Sequence, residues 1–404
     1  MPTTHRFASV SDSALDNIMR LDEMFRGDRH PDKLNLIVGV YQTAEGTSPI
    51  LDVVKDAERR LIEGETSKNY VPMAGEASYI SAVEKLVFGE DSAILSAGRV
   101  GSLHTVGGTG ALRLAAEFVA ENLAGSTLWL GEPAYPNHRG IFGALKIPCR
   151  AFPYFDVATG SIREEEMFAV LAEAKAGDIV LVHGCCHNPS GADLSRDGWL
   201  RLARFMSQRG LIPFVDLAYL GFANGIEQDA QGVRALFELC SEGVVTTSFS
   251  KNFALYNERA GVLSIVAGNS DAAQRCMARA RTYIRRLYTS PPAHGGKIIA
   301  MVLNDPGLRR RWANEVEEMR QRLISVRRGL HDILAAHQLD LSLFPGLTTL
   351  KGLFALTRLT EAHVDQLRLK HHVYMLPNGR MSISGLADNA MERLAHAIAD
   401  VTHR

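Results

Sequence analysis

The middle of the chain repeats one pattern that leaves few folds open: short apolar runs separated by helix-like segments. The apolar runs hardly alternate with polar residues, which is typical of strands covered on both faces. They are STLWLGEP, IPCRAFPY, GDIVLVHGCC, GLIPFVDLAY, GVVTTSFS and RAGVLSIVAG. Between them lie amphipathic stretches such as TGALRLAAEFVAENLA and SRDGWLRLARFMSQRG. This order predicts an α/β domain built on a mainly parallel sheet between helices.

The two ends of the chain have a different pattern. From about Asp305 a long charged amphipathic segment predicts one or two long helices, followed by short strands and a final helix from Asp388. Near the N-terminus, the strand-like run DKLNLIVGV has no similar run beside it, so we expect it to join the C-terminal part. Because 404 residues exceed one ordinary domain, we predict a large domain over 47–310 and a smaller α+β domain made from 1–46 and 311–404.

Charge and composition exclude several classes of partner. The chain has 44 basic and 45 acidic residues, so there is no electrostatic basis for binding nucleic acid or an anionic membrane. The N-terminus lacks the apolar core of a signal peptide, and no apolar run reaches the length of a membrane span. Five cysteines, two of them adjacent, do not make a disulfide framework. We therefore expect a cytoplasmic protein.

Polar side chains follow several of the predicted strands at their carboxyl ends, where open parallel sheets bind their ligands. Asn188 follows one strand, Asp216 and Tyr219 close the next, and Lys251 follows the run VVTTSFS. A buried Asp216 needs a cationic partner, which could be a protonated ring nitrogen or a structural arginine. This edge of the sheet is the candidate site.

A glycine-rich run, GGTGAL, opens a predicted helix at Gly107. Its backbone amides and the positive end of the helix dipole suit a phosphate group. The same run also fits an ordinary turn in which Thr109 is the N-cap. It is neither the dinucleotide-binding G-x-G-x-x-G pattern nor a P-loop, which argues against NAD and ATP.

The run HGCCHNPSG contains four side chains that could bind a metal. Zinc sites usually need two regularly spaced pairs of ligands, and no second pair is evident. Moreover, Cys185 and Cys186 are adjacent, so on a strand they point to opposite faces and cannot easily share one ion. We therefore predict no metal.

The functional prediction depends on Lys251. It lies just beyond an apolar strand and close in sequence to Arg259, so a lowered pKa is expected. A lysine that is partly neutral can attack an aldehyde and form a Schiff base. Ser248, Ser250 and Arg259 would suit a phosphate on the same molecule. Pyridoxal 5′-phosphate combines an aldehyde, a phosphate and a ring nitrogen that needs an acid such as Asp216, so these residues converge on that cofactor.

Seven runs in the same order along the chain carry a resemblance to a known family: KNY, GGTGALR, HGCCHNPSG, DLAYLGFANGIEQDA, SFSKNFALYNERAG, YTSPPAHG and GRMSISG. By these runs the chain resembles fold-type I aminotransferases, and among them the aspartate and aromatic amino-acid aminotransferases, over nearly its whole length. The resemblance implies transfer of the amino group of an acidic or aromatic L-amino acid to a 2-oxo acid such as 2-oxoglutarate, through a Schiff base at Lys251. It also implies a homodimer whose active sites lie at the subunit interface.

The resemblance assigns each candidate residue a role toward the cofactor. Lys251 would bind it and shuttle a proton, and Asp216 would keep its ring nitrogen protonated. Asn188 and Tyr219 would hydrogen-bond its phenolic oxygen. The phosphate would be held by a larger set: Gly108, Thr109, Ser248, Ser250, Arg259 and, from the other subunit, Tyr70.

The resemblance also assigns residues to the substrate. Arg380 would bind the α-carboxylate in a bidentate manner, near Asn188 and Gly39. Arg285 of the other subunit would meet the distal carboxylate of a dicarboxylic substrate. Tyr135 would stack over the cofactor and touch the substrate.

Three departures from the family pattern leave the substrate open. Tyr135 replaces the usual tryptophan, and Ser290 replaces a commoner asparagine. The run VYQTAEGTSP lacks the acidic residue that usually follows its tyrosine. Two alternatives therefore stay beside the aminotransferase: a pyridoxal-phosphate enzyme of altered reaction, such as elimination or decarboxylation, or of altered amino donor, and a regulatory or structural protein without turnover.

Overall fold

A central sheet with helices around it organises the protein, in a computed structural model that describes residues 17–402. The strands are β1 (Leu34–Asn35), β2 (Val100–Val106), β3 (Leu128–Glu132), β4 (Cys149–Pro153), β5 (Phe155–Asp156), β6 (Ser161–Ile162), β7 (Ile179–His183), β8 (Ile212–Leu217), β9 (Gly243–Ser248), β10 (Ala260–Val266), β11 (Phe354–Leu356), β12 (Val373–Tyr374) and β13 (Arg380–Ser382). The helices are α1 (Asn17–Gly27), α2 (Asp52–Gly64), α3 (Ala77–Phe88), α4 (Ala93–Ser96), α5 (Gly107–Asn122), α6 (Pro136–Gly143), α7 (Glu164–Leu171), α8 (Arg196–Arg209), α9 (Ile226–Leu239), α10 (Ser270–Leu287), α11 (Ala293–Asn304), α12 (Pro306–Ala336), α13 (Glu361–His371) and α14 (Met391–Thr402).

The large sheet has seven strands in the spatial order β2-β10-β9-β8-β7-β3-β4. Strand β10 runs antiparallel to both of its neighbours, and every other pair in this sheet is parallel. Strands β7, β9 and β10 are buried at every residue, which accounts for their lack of polar alternation. The prediction of an α/β fold with a mainly parallel sheet is confirmed.

Helix α8 illustrates how the local sequence sets an element that flanks the sheet. Ser195 is its N-cap, and the Ser195 hydroxyl accepts the N–H of Gly198 at 3.0 Å. The helix ends at Gly210, whose φ of 63° lies in the left-handed region that glycine adopts without strain. Helix α9 packs closely against α8 at Gly232, which has no side chain. A Cβ at that position would lie 2.4 Å from the Trp199 ring. The predicted helix and the observed one therefore differ by a single residue at each end.

The two ends of the chain meet in small sheets. Strand β1 pairs in parallel with β12, through Leu34 and Val373, and β11 pairs antiparallel with β13. Helix α12 is one continuous helix of 31 residues, capped by Asp305, whose carboxylate accepts two backbone N–H groups. The final helix, expected from Asp388, begins at Met391 after one turn of 3₁₀ helix.

Within residues 17–402, none of the helices has both the length and the apolar character that crossing a membrane requires. The boundaries of the two predicted domains stay a prediction.

A buried arginine on α12 organises the loop that leads into β11. Arg327 is 2% exposed, and its guanidinium donates to the carbonyl oxygens of four residues, Leu347, Lys351, Gly352 and Phe354. Burial lowers the pKa of Arg327 to about 10, so it remains charged at neutral pH. The loop in turn places the Phe354 ring, and the guanidinium carbon of Arg380 lies 4.2 Å from the centre of that ring.

Candidate active site

A cavity of about 240 Å³ lies where β7, β8 and β9 end. Twelve of the residues predicted to form the site line it: Gly39, Gly108, Thr109, Tyr135, Asn188, Asp216, Tyr219, Ser248, Ser250, Lys251, Arg259 and Arg380. The rest of the wall comes from Ile18, Ile37, Val38, Val40, Leu112, His183, Ala218, Tyr256 and Phe354. The sheet thus gathers, at one edge, residues that are far apart in the sequence.

Lys251 enters this cavity from the loop that follows β9. Its Nζ lies 5.3 Å from the centre of the Tyr219 ring. Burial lowers the pKa of Lys251 to about 8, and the positive charges of Arg259 and Arg380 act in the same direction, against the attraction of Asp216. A fraction of the amine is therefore neutral near physiological pH, as a nucleophilic lysine requires.

Asp216, near the end of β8, is a buried carboxylate with two partners. Its Oδ2 lies 2.9 Å from Nε2 of His138, and its Oδ1 accepts the Thr246 hydroxyl at 3.2 Å. Burial raises the pKa of Asp216, but the hydrogen bond and charge of His138 and the charge of His183 outweigh it and hold that pKa below its usual range. Asp216 is thus ionised, and a carboxylate with two bonds still has lone pairs for a further donor.

The N-terminus of α5 meets three polar side chains. The hydroxyl of Ser250 accepts from Ser248 at 3.3 Å and from Nη1 of Arg259 at 3.4 Å. A Cβ at Gly107 would lie 2.7 Å from Arg259, so the close approach requires glycine. A positive guanidinium, hydroxyls and the exposed amides of a helix of 16 residues suit a phosphate. The alternative of Thr109 as an N-cap is wrong, because the helix begins at Gly107 and Thr109 lies inside its first turn.

On the other side of the cavity, three polar side chains form a chain of hydrogen bonds. Nη1 of Arg380 donates to Oδ1 of Asn188 at 3.2 Å, and Nδ2 of Asn188 donates to the Tyr219 hydroxyl at 3.4 Å. Nη2 of Arg380 donates to the carbonyl oxygen of Ile37, on the segment after β1. Burial raises the pKa of Tyr219 far above its usual value, so its hydroxyl keeps its proton.

Comparison with known proteins places this geometry in one family. The sequence model of the family described as aminotransferase class I and II matches residues 31–398. An aspartate aminotransferase of Haemophilus influenzae is 38% identical over 98% of this chain and all of that protein. An aromatic-amino-acid aminotransferase of Pseudomonas aeruginosa is 41% identical over 98% of each chain. The chain belongs to the class I and II aminotransferases.

Solved structures of related enzymes resemble this aminotransferase throughout. An aromatic-amino-acid aminotransferase of Burkholderia pseudomallei, covalently bound to pyridoxal phosphate, superposes with a TM-score of 0.93 at 38% identity, over 98% of this chain and 99% of that one. A psychrophilic aromatic aminotransferase of Psychrobacter sp. B6, cocrystallised with aspartic acid, gives 0.93 at 37% identity, over 98% and 100% of the chains.

These similarities confirm four predictions made from the sequence: the family, the fold class, the activity of a transaminase and pyridoxal phosphate as the cofactor. They do not favour elimination or decarboxylation as the reaction. The residues present fit the cofactor, since the cavity supplies an amine, a buried carboxylate and an anion site at a helix N-terminus. The roles of individual residues stay predictions.

Two predicted site residues of this aminotransferase lie outside the cavity of their own chain. Tyr70 is 92% exposed, and Arg285 is exposed on α10. Both were expected to act in the other subunit's site. The segments that carry them are joined, because the hydroxyl of Ser290 donates to the carbonyl oxygen of Val71 at 2.8 Å. One of the three departures from the family pattern thus has a structural role at this surface.

The sequence prediction missed several residues of the cavity. His138 holds Asp216, but we predicted no role for it from the sequence. Tyr256 also lines the cavity, and its hydroxyl accepts the backbone N–H of Tyr41 at 2.9 Å. We predicted no role for Tyr256, although it lies in the run SFSKNFALYNERAG. For His138 a signal existed, because it lies in the first turn of a helix that begins with Pro136, three residues after Tyr135. No local signal marks Phe354.

A substitution of Lys251 tests the depressed pKa in the cofactor-free protein. At pH 7 the amine of Lys251 is mostly protonated in both the folded and the unfolded state. Its charge is buried in the cavity on folding, which lowers the free energy of unfolding. Between pH 8 and 10.5 the unfolded chain binds more protons, so stability rises with pH there. Lys251→Met is therefore expected to raise the free energy of unfolding by about 2 kcal/mol at pH 7, allowing for solvent in the cavity.

Urea unfolding at several pH values measures this gain. We expect it to shrink steadily as the pH rises from 8 towards 10.5, because the wild-type lysine then loses its proton. Lys175→Met, at an exposed position, is the matched control and is expected to give no gain. An equal gain at every pH would assign the effect to packing and not to the charge.

Proposed function

We propose that this protein transfers the amino group of acidic and aromatic L-amino acids to a 2-oxo acid such as 2-oxoglutarate, with pyridoxal phosphate bound at Lys251. The observation that carries the proposal is that Lys251 and Asp216, at the ends of adjacent strands, share one cavity with Arg380. An amine, an acid for a ring nitrogen and a carboxylate receptor are the three functions that such a transfer needs.

The cofactor would be held at three points. Lys251 would bind its aldehyde carbon, Ser250 and Arg259 with the amides of α5 would bind its phosphate, and Asp216 its ring nitrogen. The low pKa of Asp216 supports the last role, because an ionised carboxylate stabilises a protonated ring nitrogen. Asn188 and Tyr219 would donate to the phenolic oxygen, and the raised pKa of Tyr219 keeps that donor intact.

When bound, the cofactor supplies a positively charged ring that accepts the electron pair left by the substrate's Cα–H bond. The protein's part is to move the proton. The amine of Lys251, with its pKa lowered to about 8, can both accept and return a proton near neutral pH. His138 keeps Asp216 oriented through the 2.9 Å hydrogen bond, and the buried wall excludes water from the acid.

Arg380 is proposed to bind the substrate's α-carboxylate. It is 3% exposed, so a carboxylate beside it would be largely desolvated, and its planar fork allows two parallel hydrogen bonds. Its stacking on Phe354 and its bonds to Asn188 and Ile37 fix the orientation of the guanidinium before a substrate arrives. Pre-organisation of this kind lowers the entropy cost of binding.

Both acidic and aromatic side chains are proposed as substrates. The wall near Arg380 includes apolar side chains, Ile18, Ile37, Val38 and Phe354, which suit an aromatic ring. A dicarboxylate needs a second cation besides Arg380. Among the described residues of the cavity, the other cations, Arg259 and Lys251, are proposed to bind the cofactor, so Arg285 of a second subunit is proposed for the distal carboxylate. The Tyr135 hydroxyl replaces an indole N–H, so it can donate to and also accept from the substrate.

A homodimer is part of this proposal. Tyr70 and Arg285 are exposed on joined segments, and the apolar side chains of Met73 and Leu287 are also exposed there, 41% and 43% respectively. A second copy on this surface would cover them and bring both polar residues to its cavity.

The five cysteines are free, which supports a cytoplasmic location. The pairing of β1 with β12 supports a small domain made from 1–46 and 311–404, beside a large one over 47–310.

Arg285→Leu is expected to separate the two substrate classes. It removes the cation proposed for a distal carboxylate, so kcat/KM for aspartate and glutamate is expected to fall by about 10²-fold. The value for phenylalanine, which has no second carboxylate, is expected to stay within about threefold. The measurement is a panel of amino donors with 2-oxoglutarate, followed by kcat/KM for each.

The panel also decides which amino donor is preferred. Arg281→Leu, one turn earlier on α10 and likewise exposed, is the matched control and is expected to leave both classes unchanged. An equal loss for aspartate and phenylalanine would remove Arg285 from the proposed role. Formation of a 2-oxo acid and ammonia without any 2-oxo acid acceptor would overturn the transfer itself.

A further inference from the structure

Outside the cavity, three side chains at α14 and the end of α12 bring potential metal ligands together. They are His337, at the end of α12, and Glu392 and His396 on α14. Each offers one ligand atom, and these atoms all lie within 4.8 Å of one another. The other such group among the described residues, His138, His183 and Asp216, belongs to the active site.

The backbone holds the three ligands in place. Glu392 and His396 are four residues apart, so they stand on the same face of α14. Helix α14 packs against α12 through apolar side chains, among them the fully buried Leu334 and Leu394. His337 is the C-cap of α12, and its N–H bonds to the carbonyl oxygen of Ile333 at 3.0 Å. Glu392 and His396 are therefore exposed side chains on a packed helix, and His337 is half-buried in the turn that directly follows another.

The contacts within the group place three potential donor atoms side by side. Nε2 of His337 and Oε2 of Glu392 share a hydrogen bond of 2.9 Å, and since an ionised carboxylate only accepts, that Nε2 carries a proton, which a bound metal would displace. Nδ1 of His396 lies 2.9 Å from the carbonyl oxygen of Glu392. Since a carbonyl only accepts, that Nδ1 carries the proton, and Nε2 keeps its lone pair for a metal.

We propose that His337, Glu392 and His396 form a zinc site that joins the end of α12 to α14. Two imidazoles and one carboxylate are donors that zinc accepts, whereas calcium and magnesium prefer oxygen ligands alone. Water would complete the tetrahedron. The negative end of the α12 dipole lies beside His337 and adds to the attraction for a cation. This site departs from our expectation, from the sequence, that the protein binds no metal.

Zinc binding to the holoenzyme tests the proposal. The protein, loaded with pyridoxal phosphate so that the active-site histidines are covered, is stripped with a chelator and titrated with Zn²⁺ against a chromogenic chelator. We expect one strong equivalent per chain. His396→Ala and Glu392→Gln are each expected to weaken it by more than about tenfold, the loss that even outer partners of a metal site cause.

A second measurement separates a specific site from general surface binding. A hundredfold excess of Zn²⁺ over its dissociation constant is expected to raise the melting temperature by about 3 °C, and this rise is expected to vanish in His396→Ala. His371→Ala, which breaks a similar exposed pair with Asp400, is the matched control and is expected to keep both effects. A holoenzyme that binds no Zn²⁺, or binds it equally well in all three variants, would overturn the assignment.

Discussion

Lys251→Ala is expected to lower kcat for amino transfer by at least about 10⁴-fold, because we propose Lys251 both as the nucleophile and as the group that moves the proton. The cofactor is still expected to bind, since the contacts proposed for Asp216, Ser250 and Arg259 remain. The measurement is turnover of the best donor with 2-oxoglutarate, together with the cofactor content from absorbance. In the wild type, borohydride reduction followed by peptide mass spectrometry is expected to find the cofactor on Lys251.

The matched control is Lys175→Ala, which removes an exposed lysine and is expected to leave kcat unchanged. Added primary amines are expected to restore part of the activity of Lys251→Ala, because a small base can enter the cavity where the side chain was. Turnover near the wild-type rate in Lys251→Ala would overturn its assignment as the catalytic lysine. So would a reduced cofactor attached to any other residue.

Arg380→Leu is the second large effect that we expect. Every amino-acid substrate has an α-carboxylate, so kcat/KM is expected to fall by about 10³-fold for aspartate and phenylalanine alike. The expected loss of kcat/KM exceeds the one for Arg285→Leu because Arg380 is 3% exposed. A carboxylate bound there without the guanidinium would have neither a protein donor nor water as a hydrogen-bond partner. Initial rates over a range of donor concentrations give both kcat and KM.

The pattern across substrates distinguishes the two arginines. A loss confined to dicarboxylates in Arg380→Leu would exchange the two proposed roles. Arg380→Lys keeps the charge but not the planar fork, so it is expected to recover only part of the lost kcat/KM. Arg358→Leu, at an exposed position outside the cavity, is the control for a general effect on folding.

The sequence predicted the sheet and most of the cavity for a physical reason. Strands covered on both faces are apolar along their whole length, so their ends are sharp in the sequence, and polar residues such as Asp216 and Lys251 stand out there. The carboxyl ends of parallel strands then meet at one edge, whatever the distance along the chain. Twelve predicted residues line one cavity on this account.

What the sequence left out depends on contacts between distant segments. His138 is on α6 and contacts Asp216 on β8. Phe354 contacts Arg380 from β11, and Arg327 on α12 binds the carbonyl oxygen of Phe354. The contact of Phe354 has no periodic or spacing signal. The start of α5 at Gly107 was predicted from the glycine-rich run, and only the alternative of Thr109 as its N-cap is wrong. The side chains that we propose as zinc ligands, at the end of α12 and on α14, were missed because their contact also joins distant segments.

The pairing of β1 with β12 has a consequence for the order in which the protein is made. Leu34 leaves the ribosome early, whereas its partner Val373 and Arg380, which we propose to bind the substrate, are among the last residues to emerge. The strands of the large sheet are synthesised before β12. Until β12 emerges, the apolar segment around Leu36 and Ile37, which is buried in the folded protein, would remain exposed. Until the last residues emerge, this apolar segment of the nascent chain would stay exposed, and exposed apolar segments of this kind favour aggregation during folding.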